Sequence, residues 1–194
     1  MGSIFYIMGK SSSGKDTLYK QVKECIPTLQ TIVPYTTRPI RANEQDGVEY
    51  FFVNEAKRKQ LEETGKIIEL RAYNTVQGIW RYFTVDDGQI DIERHNYLVI
   101  GTLESYEKMQ LYFGKERVVP FYIEVEDGLR LQRALNRERE QNAPQYAELC
   151  RRFLADEKDF SLENLMRVGI KKPYVNEDLE TCRTEIILGI QKKL

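Results

Sequence analysis

The chain has 194 residues, of which 41% are hydrophobic and 30% charged, enough for one packed domain with a small inserted lobe. Its 29 basic and 30 acidic side chains give a net charge of −1, which disfavours a dedicated nucleic-acid-binding protein because such proteins usually carry a basic excess. One histidine and three widely spaced cysteines argue against a Cys/His zinc site and predict reduced thiols.

Two sequence features bear on the compartment. No apolar run reaches the roughly 18 residues that a membrane-spanning helix needs. The N-terminal segment also lacks the basic region and apolar core of a secretory signal. We therefore expect a cytoplasmic protein with no membrane partner. We also expect a monomer or weak homodimer and no nucleic-acid partner.

The first elements are a short strand and a helix. Residues 4–8 are apolar and rich in β-formers, and they run directly into Gly9. From Gly14 the pattern becomes helical, with Leu18 and Val22 on one face, until Pro27 ends it. A second strand is predicted at residues 31–33.

The middle of the chain has a different texture. Three short β-like runs, at residues 50–53, 66–70 and 78–83, are separated by a single helical stretch at 55–63. Short strands in series favour a small antiparallel lobe.

Strand and helix alternate again after residue 88. Predicted strands lie at 97–100, 118–125 and 168–171, and predicted helices at 103–113, 126–140, 145–165 and 176–193. Such alternation on both sides of an insert predicts a parallel sheet with helices on both faces, formed by residues 1–35 and 85–194, with residues 36–84 as the insert.

A phosphate-binding pattern joins the first strand to the first helix. Residues 9–15 match G-x-x-x-x-G-K in the strand-to-helix context that this motif requires, whereas an ordinary glycine–serine turn needs neither neighbour. Glycines let successive N–H groups face phosphate oxygens, and the helix dipole adds positive charge. Lys15 is placed to offset charge on the moving phosphoryl group. The expected contacts of the donor nucleotide here are Gly9, Ser11, Ser12, Ser13, Gly14, Lys15, Asp16 and Thr17.

One position of this motif is unusual. The residue after the lysine is commonly Ser or Thr, whose hydroxyl helps to hold Mg²⁺, but here it is Asp16. Because a carboxylate is a good hard-oxygen ligand, we predict that Asp16 binds Mg²⁺ directly or through water.

A second polar cluster suits an anionic acceptor. Arg38 and Arg41 lie three residues apart in a polar loop, and Tyr50 begins the next predicted strand. Two guanidinium forks and a phenol hydroxyl can bind a dianionic phosphate. Taken alone, the cluster is equally compatible with a solvated loop.

These motifs together resemble the guanylate kinase family of P-loop nucleoside monophosphate kinases. The matching segments include T-T-R-P-x-R-x-x-E and G-V-E-Y-F-F-V, and in chain order they are residues 9–15, 36–44, 47–53, 67–69 and 175–179. The resemblance implies a P-loop NTPase-type parallel sheet flanked by helices, a mixed or antiparallel GMP-binding insert, and a helical lid at about 137–150. It also implies the reaction of ATP with GMP or dGMP, assisted by Mg²⁺.

The resemblance further implies individual roles in the acceptor site. Arg38, Arg41 and Tyr50 would hold the GMP phosphate, and Glu69 would accept hydrogen bonds from the guanine edge. Tyr82 and Thr84 match the family's tyrosine and hydroxyl contacts only with a short insertion. The full implied set is Thr36, Arg38, Arg41, Glu44, Tyr50, Glu69, Tyr82 and Thr84.

The sequence departs from the family pattern at the strand that reads L-V-I-G-T, residues 98–102. The family usually carries D-x-D there, which serves metal and guanine contacts. With Asp16 gained and these acids absent, we hypothesise that the metal ligand has moved across the site. The base specificity is left open.

Arginines in the second half of the chain suggest a closing lid. Kinases of this class bring arginines over the phosphates, adding positive charge and excluding water. Arg133 and Arg137 are four residues apart on one helix face, and Arg152 follows on the next helix. We predict that Arg137 and Arg152 are catalytic and that Arg133 and Asn176 contact the donor; a salt-bridged surface helix is the alternative.

Two other functions remain open at this stage. Sugar-bisphosphate kinases related to this family, acting for instance on ribose 1,5-bisphosphate, also carry G-K-D, although they tend to lack the Arg41, Glu44 and Tyr50 set. A catalytically inactive binding module would normally have a degraded phosphate loop, whereas this one keeps both glycines and Lys15.

Overall fold

The computed structural model describes residues 2–41, 44–75 and 78–194. In chain order these residues form β1 (Ile4–Gly9), α1 (Lys15–Cys25), β2 (Gln30–Thr31), β3 (Tyr35–Thr36), β4 (Phe51–Phe52), α2 (Glu55–Glu63), β5 (Ile67–Thr75), β6 (Gly78–Val85), β7 (Tyr97–Gly101), α3 (Leu103–Phe113), β8 (Val118–Glu124), α4 (Asp127–Arg139), α5 (Tyr146–Asp159), α6 (Leu162–Arg167), β9 (Tyr174–Val175) and α7 (Leu179–Gln191).

The larger sheet is parallel throughout and has the order β2-β7-β1-β8-β9. Its central strand β1 is buried along its whole length. Ile4, Tyr6 and Met8 pack into one apolar cluster with α3, while Phe5 and Ile7 pack into another with α1 and α7. Because alternate residues of a strand face opposite sides, this division shows that helices cover both faces of the sheet.

The smaller sheet is mixed, with the order β4-β3-β6-β5. β3 runs parallel to β4 and antiparallel to β6, and β5 and β6 form a long antiparallel hairpin. Leu61 of α2 packs against Phe83 and Val85 of β6, giving this sheet an apolar cluster of its own.

The predicted fold class is confirmed: a parallel sheet flanked by helices, of the P-loop NTPase type, joined to a small mixed sheet. In such parallel sheets, ligands bind beyond the carboxyl ends of the strands. Within the described residues, no helix is both long and apolar enough to cross a bilayer.

Three boundary predictions in the last third of the chain are wrong. The single helix expected at 145–165 is two helices, because Ser161 adopts an extended conformation and its hydroxyl caps α6 by accepting from the Asn164 N–H at 3.4 Å. The preceding Phe160 is buried and stacks on Tyr122 at 5.5 Å, which fixes the break.

The expected strand at 168–171 is a turn, in which Gly169 has φ +83° while Val168 and Ile170 point into the core. The edge strand is β9 instead. The last helix starts at Leu179 rather than at residue 176, because Asp178 caps it by accepting from the Thr181 N–H at 2.8 Å.

Candidate active site

The phosphate loop leaves the carboxyl end of β1 and curls into the N-terminus of α1. Ser12 has φ +64° and Gly14 has φ +83°, so two residues adopt the left-handed conformation that closes the curl. A Cβ at Gly9 would lie 2.6 Å from the Ile123 carbonyl oxygen, which explains the first glycine of the motif. α1 has no side-chain cap, so its first-turn N–H groups are left for a ligand.

Asn176 braces this loop from the chain segment that follows β9. Its side-chain amide donates to the Ser13 carbonyl at 2.7 Å, and its own N–H donates to the Glu124 carbonyl at 2.8 Å. The second motif glycine, Gly14, lies beneath this amide, since a Cβ there would be 2.4 Å from Asn176 Nδ2. Arg133 donates to the Asn176 carbonyl at 3.2 Å. Asn176 and Arg133 therefore position the loop.

Lys15 and Asp16 lie side by side at the start of α1. Lys15 Nζ is 3.7 Å from Asp16 Oδ2, and the Asp16 side chain is 80% exposed. No cluster of three or more His, Cys, Asp or Glu side chains suited to a metal occurs in the described ranges. One exposed carboxylate next to the loop lysine nevertheless fits Mg²⁺, which commonly takes one or two carboxylates and completes its shell with substrate phosphates and water.

Two of the predicted lid arginines lie at the phosphate loop. Arg137 Nη2 donates to Ser12 Oγ at 3.0 Å, bridging α4 and the loop. Arg152 of α5 lines the same small space as Ser11, Ser12 and Arg137. Its one ion pair within the described chain, to Glu148, is long at 3.6 Å. The geometry thus brings two cations to the place where phosphates would sit: Arg137, which is exposed, and Arg152, whose side chain is 42% exposed.

A buried ion network behind the loop was missed by sequence reasoning. Arg130 of α4 is 1% exposed and pairs with Asp127, Asp156 and Glu157 at 2.9, 3.4 and 2.6 Å. Asp156 also accepts from the Ser11 N–H at 2.7 Å, and Lys10 pairs with Glu157 at 2.6 Å. We call these residues the acidic brace: Lys10, Asp127, Arg130, Asp156 and Glu157. Their i,i+3 and adjacent spacings were visible in the sequence, but their meeting across two helices was not.

A cavity of about 340 Å³ adjoins the brace, where Lys10 and Asp127 form part of its wall. Its walls come from the end of β8, the start of α4 and the segment after β9, through Tyr122, Val125, Asp127, Val175 and Glu177. The volume is within the range of small-molecule sites.

The acceptor loop is organised by an ion pair. Arg38 is 4% exposed and makes a bidentate pair with Glu44, at 2.7 and 2.6 Å. The hydrogen bonds from Arg38 lower the pKa of Glu44 to about 2, so that this carboxylate stays ionised near neutrality. The Arg41 N–H also donates to Glu44, at 2.9 Å, whereas the Arg41 side chain is exposed.

Aromatic rings connect this loop to the β5–β6 hairpin. Tyr50 and Tyr82 meet edge to face at 5.6 Å, and the Arg38 guanidinium lies 5.3 Å from the Tyr50 ring centre. Thr36 is fully buried; its hydroxyl donates to the Arg81 carbonyl at 2.9 Å and accepts from the Arg38 N–H at 3.2 Å. In this structure Thr36 therefore holds backbone segments together rather than facing the site.

Glu69 and Thr84 meet across the same hairpin. Thr84 Oγ1 donates to Glu69 Oε1 at 2.9 Å, in agreement with their cross-strand register. Arg71 donates to both carboxylate oxygens of Glu69, at 3.0 and 3.2 Å. The Glu69 side chain is consequently 1% exposed. Sequence reasoning overlooked Arg71, although residues two apart on a strand share a face.

At the end of β7, where the resembled family carries acidic residues, the side chain of Tyr6 occupies the space instead. A Cβ at Gly101 would lie 2.0 Å from the Tyr6 hydroxyl, so this hydroxyl occupies the space of any larger side chain. Tyr6 Oη and Ser105 Oγ are 2.5 Å apart, and burial raises the pKa of Tyr6. A neutral pair of hydroxyls thus takes the place of a carboxylate.

Comparisons with known proteins agree with this architecture. A family model described as guanylate kinase matches residues 2–106. A guanylate kinase of Syntrophomonas wolfei is 33% identical over 117 residues, covering 56% of this chain and 56% of that protein. One from Thermotoga maritima is 35% identical over 83 residues, covering 42% and 40%. The matched part thus spans about half the length of these relatives or less.

A solved structure supports the fold along the whole chain. The crystal structure of guanylate kinase from Anaplasma phagocytophilum aligns with 99% of this chain and 86% of its own, with a TM-score of 0.68. At 17% sequence identity this likeness concerns the fold alone.

Proposed function

Because the chain belongs to the guanylate kinase family, we propose that it is a nucleoside monophosphate kinase. The reaction transfers the γ-phosphate of ATP to GMP or dGMP, giving ADP and the nucleoside diphosphate. The observation that carries this proposal is the preserved phosphate loop, with Lys15 at the start of an uncapped helix and Arg137 bonded to Ser12.

The proposed division of labour follows the two sheets. Residues 1–35 and 85–194 form the core that binds ATP, residues 36–84 form the insert that binds the acceptor, and residues 137–150 act as a lid. The tether from Arg137 to Ser12 supports the lid assignment, because it crosses from α4 to the phosphate loop at 3.0 Å. Closure of such a lid excludes water, which would otherwise hydrolyse ATP.

On the donor side, we assign Lys15 and the uncapped first-turn N–H groups of α1 to the β- and γ-phosphates, because the Ser11 N–H already donates to Asp156. Arg137 and Arg152 then stabilise the negative charge of the transferring phosphoryl group, and Arg133 and Asn176 hold the loop in shape. Phosphoryl transfer depends on positioning and charge stabilisation rather than on covalent chemistry by the protein, so no His or Cys nucleophile is required.

On the acceptor side, Glu44 fixes the Arg38 guanidinium in one orientation. Arg41, whose side chain is exposed, and the Tyr50 and Tyr82 hydroxyls complete a phosphate site in this proposal. Thr36 and Thr84 support it from behind, through their bonds to the backbone and to Glu69.

Asp16 is the proposed Mg²⁺ ligand, with Thr17 beside it. A Mg²⁺ ion held there would help to offset the negative charge of the donor phosphates. The chain's own contribution is an exposed carboxylate held 3.7 Å from Lys15.

A coupled assay of ADP release against a panel of acceptors tests this function. We expect turnover with GMP or dGMP that exceeds turnover with ribose 1,5-bisphosphate, and none without an acceptor. A preference for the sugar bisphosphate would assign the chain to sugar-phosphate kinases. If no acceptor supports ADP release and calorimetry detects no ATP binding, the protein is a binding module and the proposal is wrong.

A further inference from the structure

Arg71 is the more exposed member of its ion pair with Glu69 in the proposed acceptor site. The Glu69 carboxylate is enclosed by Arg71 and Thr84 and is 1% exposed, whereas the Arg71 side chain is 14% exposed. A ligand that enters the site therefore meets the guanidinium before it meets the carboxylate.

Two tyrosines connect Arg71 to Arg38, which lies at the phosphate end of the proposed acceptor site. In the hairpin register it lies directly opposite Tyr82, so the two side chains share one face of the sheet. Tyr82 contacts Tyr50, which in turn lies 5.3 Å from the Arg38 guanidinium. Burial raises the pKa of Tyr50, and the charges of Arg71 and Arg38 oppose that rise, as expected when both are near its hydroxyl. The tyrosine pair thus separates two guanidinium groups.

The Arg71 guanidinium keeps hydrogen-bond donors to spare. Its Nε and Nη2 donate to the two oxygens of Glu69, and Nη1 lies 3.5 Å from Thr102 Oγ1, a long contact. The Tyr73 hydroxyl also accepts a hydrogen bond from Arg71. Because Thr102 and Tyr73 are neutral hydroxyl partners, a ligand can replace them, and the fork formed by Nη1 and Nη2 can then grip two adjacent acceptors. Guanine offers such a pair, O6 and N7, to which arginine commonly binds in bidentate fashion.

The local charge balance favours a neutral ligand here over a second phosphate. Arg71 is compensated by Glu69, and the nearby Lys108 is compensated by Glu104 at 2.7 Å. Arg41 at the other end is exposed and has no ion pair among the described side chains. Excess positive charge is therefore located at the phosphate end, and the Arg71 end suits the edge of a base.

We propose that Arg71 is the specificity-determining residue for the acceptor base, gripping its O6 and N7 edge, while Glu69 positions Arg71 instead of touching the base. This inference rests on the function proposed above. It predicts that the enzyme reads the edge that guanine shares with hypoxanthine. Adenine carries an amino group in place of O6, which would set donor against donor and leave the guanidinium unsatisfied.

The first experiment uses the unaltered protein and compares kcat/KM for GMP, IMP, AMP and 7-deaza-GMP. We expect IMP to stay within about 10-fold of GMP, because the 2-amino group is not read. AMP and 7-deaza-GMP should each fall on the order of 10- to 100-fold, because each lacks one of the two acceptors. If kcat/KM for 7-deaza-GMP equals that for GMP while kcat/KM for IMP is much lower, the base is read on its other edge and the proposal is wrong.

The second experiment replaces Arg71. Arg71→Gln and Arg71→Lys should both reduce the ratio of kcat/KM for GMP over AMP by about 10-fold or more, mainly through KM for GMP. Lysine keeps a positive charge beside Glu69 but lacks the fork. A reduced ratio in Arg71→Lys therefore cannot be caused only by leaving the buried Glu69 carboxylate without a charged partner. Arg94→Gln, at an arginine that is 81% exposed, is the matched control and should leave the ratio unchanged.

The outcomes separate this inference from the function on which it rests. If the unaltered protein turns over no purine monophosphate, the proposed function fails. If it turns over GMP but Arg71→Lys keeps the full GMP to AMP ratio, the function stands and the inference fails. Turnover of ribose 1,5-bisphosphate above GMP, abolished by Arg71→Gln, would make Arg71 a second phosphate ligand and contradict base reading.

Discussion

Two kinds of arginine occur in the proposed site, and their surroundings separate them. Arg38 and Arg71 are buried or nearly so and each makes a bidentate pair with a glutamate, so their planes are fixed before any ligand arrives. Arg41 and Arg137 are exposed, and neither pairs with a carboxylate in the described part of the chain. The first kind supplies orientation, and the second supplies charge that a phosphate can neutralise.

At the residue scale, the metal assignment is tested by Asp16→Ala. Because the carboxylate is the proposed protein ligand, we expect the Mg²⁺ concentration for half-maximal activity to rise about 10-fold or more. A Mg²⁺ titration of the ADP-release rate measures it.

Glu24→Ala is the control for the Asp16 substitution, since Glu24 is also exposed and acidic on α1 but lies two turns further along the helix. Its Mg²⁺ dependence should not change. The same dependence in Asp16→Ala as in the unaltered protein would remove Asp16 from the metal site.

Individual residues were predictable where a motif fixes them by spacing. The loop glycines and Lys15 lie at the strand-to-helix junction that the sequence predicts, whereas the cross-strand pairing of Glu69 with Thr84 was not predicted. A role for Arg71 was not predicted because none of the matched family motifs includes this position. The Tyr6 hydroxyl beside Gly101 was equally hidden, because it depends on the register of β1 against β7, which no local pattern encodes.

At the scale of elements, the acidic brace ties α4 and α5 to the phosphate loop. Arg130 is closed off from water and faces three carboxylates, so its removal leaves their negative charges together without a partner, with Asp156 only 17% exposed. We expect Arg130→Met to lower the free energy of unfolding by about 3 kcal/mol, near the low end for buried pairs because Asp127 and Glu157 are partly exposed. Urea denaturation measures the change.

Arg151→Ala is the matched control, because Arg151 pairs with Glu148 on the surface of α5 and is 64% exposed. A solvated pair of this kind contributes about 1 kcal/mol or less. Equal losses in the two variants would contradict the view that the brace is a buried structural network.

Helices with regular apolar spacing were placed correctly from the sequence, and α2 and α3 have the predicted bounds. The break between α5 and α6 was missed because the helical pattern runs through it; the cap at Ser161 and the burial of Phe160 decide it. β3 and β9 are two-residue strands whose pairing depends on distant partners, so periodicity could not reveal them.

At the scale of the whole molecule, the two sheets divide the site. The parallel sheet carries the phosphate loop at the carboxyl end of its central strand, and the mixed sheet carries the two guanidinium–carboxylate pairs. The alternation of strands and helices in the sequence predicted the parallel sheet, and the short strands in the middle of the chain predicted the second sheet, while the meeting of the acidic brace with the loop required the folded chain. The proposed phosphoryl transfer depends on the phosphate loop working as a cradle for ATP.

The most direct test of that dependence is the ADP-release rate with GMP for Lys15→Ala beside Lys20→Ala, an exposed lysine on the same helix. We predict that Lys15→Ala loses about 10²- to 10³-fold in kcat while Lys20→Ala stays near the unaltered protein, since of these two lysines only Lys15 belongs to the proposed phosphate site. A Lys15→Ala protein that keeps the full rate would contradict the account.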